Sequence, residues 1–268
     1  MHRFASFNCQ SADSSEPTIA ALASGAIYGK GIFTTIAIYD SVPFLWEKHW
    51  RRLEANALHL GIDLSDFREE VTVRALEKLL GGNKVDAARA RITFFDETAT
   101  ALWQYDSNRK TSMLITTADL RSREQDLKLT VSPYRINSAS PLAGIKSCNY
   151  LEKILAKDEA KRREFDEAIQ VNERHEVATV SMANVFWLKD GKLFTPPLKT
   201  GCLAGTTREF VLENLECEEV EVAIDGLQRA DEIFLTSAGL GVAQVAIFDG
   251  KRLERTSHKI MNLLPHRE

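Results

Sequence analysis

Lys146 stands where the stretch Pro141-Leu-Ala-Gly-Ile-Lys-Ser-Cys-Asn-Tyr-Leu-Glu-Lys-Ile-Leu155 passes from loop to helix. Pro141 and Gly144 interrupt regular structure before it, and Leu151, Ile154 and Leu155 fall at one-face helical spacing after it. A lysine at such a junction can be an ordinary surface side chain. It can also be the amine that forms a Schiff base with a carbonyl, a role that needs a deprotonated amine and a site that lowers its pKa. Tyr150 follows four residues later. Two further stretches could hold an anion. His49-Trp-Arg-Arg-Leu53 sets Arg51 and Arg52 at the start of a helix, and a guanidinium fork matches phosphate oxygens while staying charged. Gly201-Cys-Leu-Ala-Gly205-Thr-Thr-Arg208 is a glycine-rich lead into another helix. Free N–H groups there, with the hydroxyls of Thr206 and Thr207, suit a phosphate, and the same threonines suit simple N-capping.

These residues must be positioned by elements that alternate between strand and helix. Gly25-Ala-Ile-Tyr-Gly-Lys-Gly31 reads as a tight turn into the strand Ile32-Phe-Thr-Thr-Ile-Ala-Ile-Tyr39. The Gly29-Lys-Gly31 pair is no phosphate loop by itself, because a strand and not a helix follows. Residues 47–60 form an amphipathic helix stopped at Gly61, and 66–80 a second one closed by Gly81-Gly82. The strand 87–95 alternates, with Arg89, Arg91, Thr93 and Phe95 on one face, and a strand at 112–117 follows. Asp119–Gln125 is charged without apolar periodicity and reads as a linker. Beyond it come a strand at 127–132, the helix after Lys146 running to about Arg163, and strands at 168–172 and 177–188. A hairpin turn at Lys189-Asp-Gly191, a short helix at 224–230, strands at 232–238 and 242–248, and a C-terminal helix near 256–264 complete the pattern.

Four stretches, Tyr28-Gly-Lys-Gly-Ile-Phe-Thr-Thr35, His49 to Leu53, Ile145-Lys-Ser-Cys-Asn-Tyr-Leu151, and Asn184-Val-Phe-Trp through Gly205-Thr-Thr-Arg208, stand in one order and spacing. In this the chain resembles the class IV, fold-type IV family of pyridoxal-phosphate (PLP) enzymes, which holds branched-chain and D-amino-acid aminotransferases and aminodeoxychorismate lyases. The resemblance implies an α+β chain of two domains, 1–118 and a larger 126–268 carrying Lys146, with PLP in the cleft between them, and a homodimer. It implies that Lys146 holds the cofactor and then acts as general base. Arg52, not Arg51, would hold the phosphate with Thr206, Thr207 and Ser237, and Tyr150 would bond the ring's phenolic oxygen. Tyr28, Phe33, Thr35 and Arg91 would line the substrate pocket. Phe33 could equally be plain core.

The sequence departs from the family at two points. Where relatives carry a Glu that pairs with the ring nitrogen, the register from Asn184 gives Thr179; Glu176 is three residues off and on a strand would face the other way. A hydroxyl cannot hold the nitrogen's proton by charge, so the ring becomes a weaker electron sink. Where relatives often place a carboxylate-binding Arg, this chain has Asp96, leaving Arg91 or Arg89 to serve from the other face. Phe33-Thr34-Thr35 and the run Ala143-Gly-Ile-Lys-x-x-Asn149 resemble the lyases, whereas Tyr150 resembles the aminotransferases. The first expectation is therefore a lyase that eliminates pyruvate to leave 4-aminobenzoate, a folate precursor. The alternatives are an aminotransferase of branched-chain or D-amino acids, and a PLP-binding protein of reduced activity.

Composition narrows the classes from the other side. The 268 residues are 44% hydrophobic, enough for a substantial core, with a net charge of −4 and no basic block, so nucleic acid is not an expected partner. No apolar run reaches the ~18 residues of a membrane span, and the N-terminal stretch is not a signal peptide. Cys9, Cys148, Cys202 and Cys217 are scattered without a CxxC pair, which argues against a metal site and for free thiols in the cytoplasm.

Overall fold

The computed structural model describes residues 1–101, 104, 105, 110–120 and 126–265. The chain divides into two units: Met1–Arg121 with Lys146–Asn149, and Ser122–Ile145 with Tyr150–Glu268. The lysine segment, expected in the C-terminal domain, thus belongs to the first unit. Of the linker, Asp119 and Leu120 are described, while 121–125 lie outside the described residues. Among the described residues no helix is long and apolar enough to cross a membrane.

The first unit contains the hairpin β1 (Phe4–Phe7) and β2 (Gln10–Asp13), the single turn α1 (Ser24–Ile27), β3 (Gly31–Tyr39) and the short β4 (Val42–Pro43). Helices α2 (Trp46–Leu60) and α3 (Glu69–Asn83) follow, then β5 (Ala88–Asp96), the two-residue strands β6 (Thr100–Ala101) and β7 (Gln104–Tyr105), and β8 (Thr111–Ala118). Six strands form an antiparallel sheet in the order β2-β1-β8-β5-β3-β4. Alternation sorts its faces. Ile32, Ile36 and Ile38 of β3 join Ala88, Ala90, Ile92 and Phe94 of β5 in a core closed by Trp50 and Leu53 of α2 and by Leu76, Leu79 and Leu80 of α3. Burying each of the isoleucines, leucines and Phe94 contributes roughly 1.5–3 kcal/mol. The other face carries Phe33, Thr35, Arg91 and Thr93, with Phe33 opposite Thr93 and Thr35 opposite Arg91. Helix α3 does not stop at Gly81-Gly82; it runs through both and ends at left-handed Lys84.

The second unit starts with β9 (Leu127–Val131) and α4 (Leu151–Arg162), then β10 (Glu167–Val171), β11 (Val177–Val180), β12 (Asn184–Lys189) and β13 (Lys192–Thr195). Helix α5 (Thr206–Asn214), β14 (Glu218–Glu219), α6 (Ile224–Gln228), β15 (Glu232–Ser237), β16 (Gly241–Phe248) and β17 (Lys251–Arg252) complete it. A mixed sheet runs β11-β10-β9-β16-β15-β12-β13-β14, with β17 on β16. The single strand expected over 177–188 is two strands, separated in the sheet by β10, β9, β16 and β15, with the chain bending between Val180 and Asn184. The hairpin at Asp190-Gly191 forms as expected, both residues at positive φ. The C-terminal helix expected near 256–264 is only a 3-10 turn, Lys259–Asn262.

Candidate functional site

In the first unit Lys146 is fixed by backbone hydrogen bonds to the start of β3. The Phe33 N–H donates to the Lys146 carbonyl at 3.0 Å, the Cys148 N–H donates to Gly31 at 2.8 Å, and Ile32 bridges Ser147 in antiparallel register. This register puts Lys146 opposite Phe33 and Cys148 opposite Gly31, on the sheet face away from the core. Gly31 is required there: a Cβ would sit 2.9 Å from the Cys148 sulfur and 2.8 Å from the Phe94 carbonyl oxygen. Phe33 is buried but belongs to this second face and not to the core. Lys146 Nζ lies 4.5 Å from its ring centroid, and the Arg91 guanidinium carbon lies 3.6 Å from it. Such cation–aromatic contacts are worth roughly 0.5–2 kcal/mol.

Of the two arginines that could meet a carboxylate, Arg89 Nε donates to the Asp119 carbonyl at 2.9 Å, while Arg91 stays on Phe33 and donates to Thr93 at 3.2 Å. Asp96 does not project its charge freely. Burial alone would raise its carboxyl, yet hydrogen bonds from Lys30 at 2.6 Å and from Thr98 hold it below the usual range. Thr35 is half-buried opposite Arg91, and Tyr28 is partly exposed at the end of α1.

A second group lies on the core side of β3. Arg52 turns inward from α2 and donates to Thr34 at 2.9 Å, whereas Arg51 is exposed. Thr34 shares a 2.6 Å hydrogen bond with Nδ1 of His49, which is buried. Burial, then the charges of Arg52 and Lys146, pushes His49 well below its ordinary pKa, so it is a neutral imidazole. Thr34 and His49 escaped the sequence reading as site residues. The available signal was a Thr in phase with the core residues Ile32, Ile36 and Ile38, followed by a helix carrying His49 and Arg52 three residues apart.

In the second unit α5 begins at Gly205, which serves as N-cap, so Thr206 and Thr207 are first-turn residues and not caps. Both are buried. The helix start directs its N–H groups outward, and Gly205 brings it against β12: a Cβ there would lie 2.0 Å from Asn184 Oδ1. Asn184 is in turn fixed by donating to the Leu203 carbonyl at 2.9 Å. Opposite Asn184 on β15, the Thr236 hydroxyl is buried without a partner among the described residues. Ser237, the residue expected here, accepts a turn hydrogen bond from the Leu240 N–H at 3.2 Å. Arg208 is structural; its buried guanidinium binds the Pro196 carbonyl and Glu219. The glycine cradle and the orphan Thr236 hydroxyl fit a phosphate.

Tyr150 caps α4, its carbonyl accepting from Lys153 and Ile154. Thr179 on β11 is buried and donates its hydroxyl to the carbonyls of Ala183 at 3.1 Å and Val180 at 3.2 Å. Its proton is thereby committed to the bend between β11 and β12 and is not offered to a ring nitrogen. Glu176 is bound by Asn172 and Arg174, both at 2.8 Å, and does not stand in for the missing carboxylate.

A model of the family described as amino-transferase class IV matches residues 31–248. The aminodeoxychorismate lyase of Vibrio harveyi is 32% identical over 82% of this chain and 83% of its own length. The D-alanine aminotransferase of Bacillus licheniformis is 28% identical over 92% and 89%. The branched-chain amino acid aminotransferase of Escherichia coli superposes with a TM-score of 0.89 at 22% identity, covering 98% of this chain and 92% of that one. These relatives divide between elimination and amino transfer, so the closer likeness to lyases expected from the motifs is not carried by them. Their common ground is the family, and the chain belongs to the class IV aminotransferases, PLP-dependent enzymes of fold type IV.

Proposed function

We propose that this chain is an aminotransferase acting on branched-chain or D-amino acids, and that Arg91 receives the substrate carboxylate. The observation that carries the proposal is the shared ring of Phe33. A nucleophilic amine at Lys146 and a carboxylate-binding fork at Arg91 stand over one aromatic side chain, 4.5 and 3.6 Å from its centroid. An α-amino acid presents its amine and carboxylate from one carbon, which this pairing suits. The neutralisation of Asp96 by Lys30 supports it, since a bare carboxylate would repel such a substrate. The aminotransferases among the relatives agree.

Lys146 would hold PLP through Nζ. Arg52, Thr206, Thr207, Thr236 and the start of α5 would hold its phosphate, and the Tyr150 hydroxyl would orient its phenolic oxygen. When bound, PLP supplies a ring that takes up electrons from the substrate carbon. Once freed by the substrate amine, Lys146 Nζ would act as the base that removes the proton from that carbon. The four free cysteines fit a reducing, cytoplasmic setting.

Elimination of pyruvate from aminodeoxychorismate is the second reading, favoured by Thr179 in place of a carboxylate. The two are separated by running both assays on one preparation: keto-acid formation from D- and branched-chain amino acids, and pyruvate release with 4-aminobenzoate. Amino transfer in wild type, lost in Lys146→Ala and weakened at least tenfold in KM by Arg91→Ala, is the expected result. Pyruvate release with no amino transfer would give the chain to the lyases.

A further inference from the structure

Gln170 interrupts the apolar run Ala168-Ile-Gln-Val171 of β10 and is fully buried. It pairs directly with Thr179 across β10 and β11, one residue from the pair Ile169 and Val180. Directly paired residues share a face. Ile169 and Val180 belong to the core of the second unit, so Gln170 and Thr179 look the other way. On that side Lys153 of α4 reaches the Gln170 amide, with Nζ donating to Oε1 at 2.7 Å. The bond fixes the amide's orientation, because an ammonium can bond only to the carbonyl oxygen. The amide nitrogen Nε2 is then a committed donor. It is buried and has no partner among the described residues. A buried unmet donor costs roughly 1–3 kcal/mol, so this one calls for an acceptor.

The face it occupies is the one where the family's ring-nitrogen carboxylate would stand. The glutamates that flank it in sequence are taken: Glu167 by Lys157 and Ser181, Glu173 by Ser138 and Arg174, and Glu176 by Arg174 and Asn172. Thr179 spends its proton on backbone carbonyls. Resting on the reading that PLP binds with its ring nitrogen at Thr179, we propose that Gln170 Nε2 donates to that nitrogen, with Lys153 as the positioning residue that sets the amide. A pyridine nitrogen accepts a hydrogen bond only through its lone pair. The site is therefore built to keep the nitrogen unprotonated, the reverse of what a carboxylate does. Burial pushes Lys153 down to about 8, and the same desolvation disfavours any further positive charge beside it.

The test is nitrogen-15 NMR of the holoenzyme reconstituted with PLP labelled at the ring nitrogen. Borohydride reduction and peptide mapping at Lys146 establish loading of each sample. Wild type should show an unprotonated ring-nitrogen shift at pH 6–7.5, where Lys153 is an ammonium, displaced upfield from free unprotonated pyridine by a hydrogen bond. Gln170→Leu should lose that displacement while staying unprotonated, and Lys153→Met should reduce it. A protonated nitrogen in loaded wild type overturns the proposal, even if Gln170→Leu fails to fold. An unchanged shift in loaded Gln170→Leu overturns the role of Gln170. Absence of PLP on Lys146 in wild type is a different failure, that of the cofactor placement itself, and the proposal falls with it.

Discussion

At the scale of single residues, the site is organised by what each polar group has already spent. Thr179 spends its hydroxyl on a bend, Arg89 on a carbonyl, Glu176 on Arg174. Lys146 and Arg91 meet on the ring of Phe33, and Arg52 and the neutral His49 meet on Thr34. His49 carries a pH dependence whose sign follows from its environment. Its folded pKa lies well below 6.5, first because it is buried and then because Arg52 and Lys146 repel its proton. The unfolded chain therefore binds that proton more readily. The stability His49 contributes is complete above about pH 6.5 and is lost as pH falls from there toward the folded value, at up to about 1.4 kcal/mol per pH unit. Urea unfolding at pH 7.5 and 5.5 should show wild type losing on the order of 1 kcal/mol more than His49→Gln over that interval. Equal losses in the two proteins would mean that His49 titrates normally.

At the scale of elements, glycine separates what the sequence states from what it leaves open. Gly81 and Gly82 read as a helix stop, yet nothing lies within 4 Å of a Cβ at either, and α3 continues to Asn83. A glycine costs a helix only about 1 kcal/mol, less than the burial of Leu79 and Leu80 returns. Gly205 is the opposite case. An alanine Cβ there would strike Asn184 Oδ1, whose amide is held by the Leu203 carbonyl. Gly205→Ala should push α5 off β12, cost about 1–3 kcal/mol, and loosen PLP. Retention of PLP after dialysis should fall in Gly205→Ala and hold in Gly81→Ala; equal retention would remove the start of α5 from the phosphate site. The strands β3, β5 and β8 and the helix α2 were legible because alternation and 3.6-residue periodicity are local. The division of 177–188 into β11 and β12 was not, because no Gly or Pro marks it. The bend is set by which neighbours the sheet gives each half.

At the scale of the whole molecule, the stripe on α4 shows a limit of periodicity. Leu151, Ile154 and Leu155 share a face, as their spacing states, but they do not pack inward. They are 60%, 43% and 46% exposed, while Ala156 and Ala160 form the buried face. Spacing tells which residues lie together and says nothing of what covers them. An apolar stripe left open on a helix marks an association surface. The occupant we favour is a second copy of the chain, since identical helices meeting across a two-fold axis cover each other's stripe by the same contacts. The homodimer implied by the family resemblance agrees. Replacing Leu151 and Leu155 together with Glu puts two charges on each side of that contact. Like charges facing one another across it cost several kcal/mol, while exposed positions on one chain tolerate Glu at little cost to its fold. Sedimentation equilibrium at micromolar concentration should find a dimer for wild type and a monomer, with unchanged far-ultraviolet circular dichroism, for the double variant. A monomeric wild type would remove the dimer. A variant that stays dimeric would place the two-fold contact on another surface and leave the open stripe on α4 to a different partner.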